Sequence, residues 1–120
     1  MKIYTTYFAN LRNVPETIIP IAICGNVPQG WRGLRYSPLA PKYSWWKEWK
    51  DGNLEESWYI QKYQETVLDQ LSPQNVIKEL GLMSGGKDVA LVCYEKSDDF
   101  CHRHLVAAWL KNAGYNVEEI

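Results

Sequence analysis

The sequence predicts an α/β fold: a three-layer sandwich around a small, mostly parallel sheet of about four strands, closed by a βαβ unit at the C-terminal end. Three observations carry this expectation. The run Val89-Ala90-Leu91-Val92-Cys93 is apolar throughout, as a strand covered on both faces requires. Within about 30 residues it is followed by an amphipathic segment and a short final strand, which is the spacing of a βαβ unit. The chain has 120 residues, 46% of them hydrophobic, which suits a single α/β domain over 1–120 that buries a core without staples.

The elements follow in order. Residues 2–8 alternate β-branched and aromatic side chains and read as a strand. Residues 18–24, Ile-Ile-Pro-Ile-Ala-Ile-Cys, read as a buried strand ended by Gly25, with Pro20 forcing an edge-like start. Residues 25–50 form a long aromatic loop or lid. Pro28, Gly30, Gly33, Pro38 and Pro41 interrupt regular structure in it, and a short helix is expected over 45–50. Loops of that length in a small domain are commonly functional.

Asn53, with Glu56 three residues on, reads as a capped helix start. That helix reaches Leu71, with Ile60, Tyr63, Val67 and Leu71 as its buried face. Ser72-Pro73 opens the next helix, with Val76, Ile77 and Leu80 as its stripe and Gly81 as its stop. The last helix is expected over 100–113, capped by Asp98 or Asp99 and ended by Gly114, and residues 115–119 form the final strand.

Charge and cysteine content exclude several classes. Lys and Arg number 13 against 14 Asp and Glu, so no basic field exists to coat duplex DNA. No apolar leader opens the chain, and no run of about 18 apolar residues could cross a membrane. Three cysteines, Cys24, Cys93 and Cys101, make an odd count without a secretion signal. Free or metal-bound thiols in a reducing cytoplasm are therefore expected rather than a disulfide framework. Six Trp and eight Tyr are many for this length. They serve as core filling or as a stacking or protein-partner surface around Trp45, Trp46, Trp49 and Trp58.

Chemistry concentrates between Cys93 and Arg103. With Asp99 as cap, Cys101 and His102 fall in the first turn of the last helix, where unpaired N–H groups and the helix dipole favour negative charge. A thiol there ionises more readily, and an anion also binds there. On a wheel set by Val106, Trp109, Leu110 and Ala113, His102 lies on the buried stripe, Arg103 at its margin and His104 on the solvated side. Glu95 is placed to orient a histidine or an arginine.

Three chemistries fit these residues. Cys101 serves as a nucleophile activated by the helix end, His102 and Arg103. Cys93, Cys101 and His102, with Cys24, hold a metal; the short-spaced Cys pair usual for zinc is absent, so no residue is assigned as a metal ligand. Arg103, with Arg32 or Arg35, builds an anion pocket at the helix end. The plainer alternatives are a small buried hydrophobe for each cysteine, a hydrogen-bonded core histidine for His102, and a structural Arg103–Glu95 ion pair.

The segment Leu91-Val92-Cys93-Tyr94-Glu95-Lys96, followed by Phe100-Cys101-His102-Arg103-His104-Leu105-Val106-Ala107, resembles the family called domain of unknown function 488. Tyr4-Thr5-Thr6-Tyr7-Phe8 and the helix from Tyr59 to Leu71 are also similar to it. The resemblance implies a small bacterial, archaeal or phage-borne α/β domain with its site at Cys93, Glu95, Cys101, His102 and Arg103. It implies no defined activity and no cofactor.

The functional expectation is recognition of a small anionic, phosphate- or nucleotide-like ligand at the strand-to-helix site, with thiol-dependent chemistry on it. Cys101, His102, Arg103 and Glu95 form the catalytic set. Arg103, Arg32, Arg35 and Cys93 form the ligand-binding set, and residues 25–50 supply aromatic faces for stacking.

Overall fold

A computed structural model describes residues 1–95 and 100–120. Five strands form one sheet: β1 (Ile3–Tyr7), β2 (Ile19–Ala22), β3 (Leu34–Arg35), β4 (Val89–Cys93) and β5 (Val117–Glu119), in the order β3-β2-β4-β1-β5. Every pairing is parallel. The four expected strands are present. The fifth, β3, lies inside the segment expected to be loop, and two residues are too short a run to show alternation.

β4 sits at the centre between β2 and β1, which explains its unbroken apolar sequence. Pro20 lies in β2 one residue before the pairing with β3 begins at Ile21. Its missing N–H therefore faces no neighbour, which is where a strand tolerates proline.

Four helices complete the fold: α1 (Tyr43–Asp51), α2 (Glu56–Thr66), α3 (Pro73–Ser84) and α4 (His102–Asn112). The register places Ile3, Val89, Leu91, Ile21 and Val117 on one face of the sheet. That face forms one cluster with Trp45 of α1, Tyr59 and Tyr63 of α2, Val76 and Leu80 of α3, and Val106 and Leu110 of α4. The third layer is thin. Ala22 and Cys24 pack with Phe8, from the 3-10 turn Phe8–Asn13, and with Val27 and Trp31 of the 24–33 connection.

Several boundaries differ from the sequence expectation. α2 starts after Glu55, which makes no side-chain cap bond, rather than after Asn53. Its inward face carries Tyr59 and Tyr63, while Ile60 is 41% exposed. Tyr63 faces inward as expected; Tyr59 takes the inward place expected of Ile60 and packs edge-on against Trp45 of α1. Val67 and Leu68 continue the core in a separate 3-10 turn.

α3 opens as expected, with Ser72 Oγ accepting from the Asn75 N–H. It runs past Gly81 to Ser84, because the left-handed residue that ends it is Gly85. α4 begins at His102 with Cys101 as its N-cap. Asp98 and Asp99, expected as the cap, lie outside the described residues. No helix among the described residues is long and apolar enough to cross a membrane.

Candidate functional site

Three backbone segments converge at the carboxyl ends of β2 and β4. β2 runs on through Ile23, whose N–H donates to the Val92 carbonyl, and then reaches Cys24. β4 ends at Cys93. The chain re-enters at Cys101, extended at φ −154° and ψ 145°, and α4 starts there. Ligand sites of parallel α/β sheets form at this edge, because loops leaving adjacent strands part there.

Cys93 and Cys101 are both buried, and their sulfurs are in bonding contact across eight residues. The expectation of separate thiols is corrected here: the fold pairs these two, and Cys24 alone is free. The strand end and the helix start bring them together, a proximity no spacing motif announces. Cys24 Sγ donates to the Asn26 carbonyl at 2.7 Å, and burial pushes its thiol up to about 11.

His102 is buried at the first helical position. Its Nε2 is 2.7 Å from the Ile23 carbonyl oxygen. A carbonyl only accepts, so the proton resides on Nε2 and Nδ1 carries the lone pair. Nδ1 faces Cys101 Sγ at 3.9 Å. Burial, first of all, opposed by the bond to Ile23 and aided by the nearby Arg103 and His104, brings the imidazole pKa down to about 4. The ring is neutral at physiological pH, an acceptor aimed at sulfur.

Arg103 is 0% exposed. Its Nε and Nη2 form two bonds to Glu119 Oε1 and Oε2, at 3.2 and 2.8 Å. Its Nη1 donates to Cys93 Sγ at 3.2 Å and to the Glu95 carbonyl at 2.5 Å. The Tyr7 ring lies beneath the guanidinium at 5.8 Å. Glu119 is braced in turn by Thr5 Oγ1, its register partner on β1. Arg103 thus stands behind the sulfur pair.

The alternative of a structural Arg103–Glu95 ion pair is corrected: the carboxylate is Glu119, and Glu95 contributes its backbone oxygen. Glu119 went unread, although it shares a strand face with buried Val117 through two-residue spacing, and an inward carboxylate needs a cation. His104, expected to be solvated, is half-buried, and its Nε2 has no partner among the described residues.

In front of Cys101 and His102 opens a cavity of about 590 Å³. Cys24, Gly25 and Asn26 form one rim and Pro41, Tyr43, Trp46, Trp49 and Lys50 the wall from α1 and its approach. Tyr59, Tyr94, Glu95 and Phe100 complete it. The aromatic side chains brace one another: Tyr43 stacks on Trp46, and Tyr59 meets Trp49 and Phe100 edge-on. Residues 25–50 therefore do reach over the carboxyl edge.

The cations of the lid differ from expectation. Arg32 and Arg35 are exposed and neither lines the cavity; Arg35 Nη2 instead holds the Gly25 carbonyl at 3.0 Å. Among the described residues the lysine or arginine lining the cavity is Lys50, over the Trp46 ring at 5.8 Å. Its place follows from helical spacing, four residues after Trp46 on α1. Cys93 is not among the residues lining the cavity.

Of the four tryptophans considered as a partner surface, Trp45 is 6% exposed and donates to Thr66 Oγ1, and Trp58 packs edge-on against it. Trp46 and Trp49 turn toward the cavity.

The DUF488-N3a family, described as the active DUF488-N3 subclade, matches residues 5–114. No curated protein and no solved structure matches the chain.

Proposed function

The chain belongs to the DUF488-N3a family, and from its cavity we propose that it binds a small, flat, anionic ligand of nucleotide-like chemistry, with the reacting end against Cys101 and His102. One observation carries this reading: a cavity of about 590 Å³ has aromatic walls and is also lined by the Cys101 sulfur and the His102 imidazole. Volumes of this size suit one small molecule, and a few polar groups on an apolar wall set its orientation. Rings accept a base by stacking. Lys50 supplies the charge for an anionic group, a role first assigned to Arg103, Arg32 and Arg35.

Cys101, the sulfur that reaches the cavity, is the group on which thiol-dependent chemistry would turn, with His102 Nδ1 as its proton acceptor. Arg103 positions Cys93 from behind. Thiols used for such chemistry keep best in a reducing, cytoplasmic setting. A protein-partner role for Trp45, Trp46, Trp49 and Trp58 has less support, because two of them serve the core and two face the cavity.

The test is thermal shift and calorimetry with adenine and guanine nucleotides, inorganic phosphate and short single-stranded oligonucleotides. A saturable shift with nucleotides, weakened in Lys50→Ala and Trp49→Ala, is the expected result. If no nucleotide or oligonucleotide shifts the wild-type protein, the reading is wrong.

A further inference from the structure

We propose that Cys93 Sγ, Cys101 Sγ and His102 Nδ1, with both thiols reduced, hold one zinc-class divalent cation whose fourth position opens into the aromatic cavity. The ligand-site reading above is thereby deepened, since the open position has a ligand to receive only if that reading holds; with the ion bound, Cys101 and His102 Nδ1 serve as its ligands and not as nucleophile and proton acceptor. Capture of the ion itself does not depend on it.

Geometry supplies the first argument. The three ligand atoms all lie within 4.8 Å of one another, and all three residues are buried. In a tetrahedral site with zinc–sulfur bonds of about 2.3 Å and a zinc–nitrogen bond of about 2.0 Å, sulfur and nitrogen sit roughly 3.5 Å apart and two sulfurs roughly 3.8 Å. Cys101 Sγ and His102 Nδ1 are 3.9 Å apart already.

The Cα atoms of Cys93 and Cys101 are 7.6 Å apart. Disulfides span Cα separations of about 4.4–6.8 Å. The backbone therefore holds this pair wider than the usual cystine span, which leaves room for the reduced sulfurs to part from direct contact to the separation a shared ion sets.

The surroundings supply the second argument. A ligating histidine almost always donates its other ring N–H to a fixed acceptor, which sets the tautomer and aims the lone pair. His102 does this through Nε2 and the Ile23 carbonyl at 2.7 Å, leaving Nδ1 on the sulfur side. A metal-bound thiolate is likewise stabilised by a donor, and Arg103 Nη1 reaches Cys93 Sγ at 3.2 Å. Softness then chooses the ion: two thiolates and one imidazole favour zinc over magnesium or calcium.

The open side supplies the third. Three protein ligands with a free fourth position mark sites where the metal meets water or a ligand. Cys101 and His102 both line the cavity, so the free position faces it, while Arg103 closes the opposite side.

The experiment uses the full chain, reduced and chelator-treated, titrated with cobalt(II). Expected is a thiolate-to-cobalt charge-transfer band that saturates at one ion per chain and is displaced by zinc. Cys24→Ser retains the band, while Cys93→Ser and Cys101→Ser lose it. Circular dichroism shows whether those variants are folded, and the wild-type titration decides the matter if they are not. Absence of the band from reduced wild-type protein overturns the proposal. So does closure of a Cys93–Cys101 disulfide under conditions in which zinc leaves the rate unchanged. Nucleotide binding to stripped protein without cobalt binding sinks the metal site alone, and cobalt binding without nucleotide binding sinks the ligand reading alone.

Discussion

Arg103 and Glu119 meet as a two-bond ion pair, with the arginine fully buried and the glutamate side chain 28% exposed. The pair ties the first turn of α4 to the last strand and sets the height of the guanidinium beneath Cys93. Removing the carboxylate leaves a buried cation unpaired. Glu119→Ala is therefore expected to cost about 3 kcal/mol, the lower end for broken buried pairs because Glu119 is partly solvated. Urea unfolding measures it. A loss below 1 kcal/mol would mean that the pair is a solvated surface contact.

Tryptophans next to one another in sequence should behave differently. Trp46→Ala and Trp49→Ala are each expected to weaken nucleotide binding by about 1–3 kcal/mol, the range for loss of base stacking. Their unfolding free energies should change less than that of Trp45→Ala. That substitution opens the core and strands Thr66, with an expected cost of about 3–5 kcal/mol. Parallel calorimetry and chemical denaturation separate the two effects, and equal behaviour of all three variants would contradict the assignment.

His102 makes the metal-free protein acid-sensitive. Its folded pKa of about 4 lies below the ordinary value of 6.5. Between those values the unfolded chain binds a proton that the folded chain refuses. The contribution to stability is thus complete above pH 6.5 and is lost as pH falls toward 4, in total roughly 3 kcal/mol at about 1.4 kcal/mol per unit. His102→Gln can still donate to the Ile23 carbonyl and does not titrate, so its stability should fall less steeply across that window. Superimposable wild-type and variant curves would refute this.

Cys24 should be the inert thiol. Burial raises its pKa to about 11, so little thiolate exists near neutrality. In folded protein its alkylation should stay slow at pH 8 and accelerate as pH approaches 11, read residue by residue by mass spectrometry. Rapid modification at pH 7 would show that the thiol is not held as described.

Tyr63→Phe tests the seam between α2 and the lid. The buried hydroxyl donates to the Leu39 carbonyl at 2.6 Å. Its removal leaves that carbonyl without its donor, at an expected cost of about 1–3 kcal/mol. A neutral substitution in thermal denaturation would mean that water replaces the hydroxyl.

Much of this was legible in the chain by itself. The continuous apolar run into Cys93, the Ser72-Pro73 helix start and the β4-to-β5 crossover are local statements of burial and capping, and local chemistry settles them. The Cys-His-Arg motif marked where polar and thiol groups gather, because a helix opening beside a strand end concentrates donors there. Tertiary structure decided what those groups meet. Strand pairing of β5 on β1 brought Glu119 to Arg103, extension of β2 carried the Ile23 carbonyl to His102, and the pitch of α1 turned Lys50, rather than Arg32 or Arg35, to the cavity. Each is a contact between residues far apart in the chain. Sequence periodicity tells which face a residue occupies, whereas its partner depends on how the faces are packed.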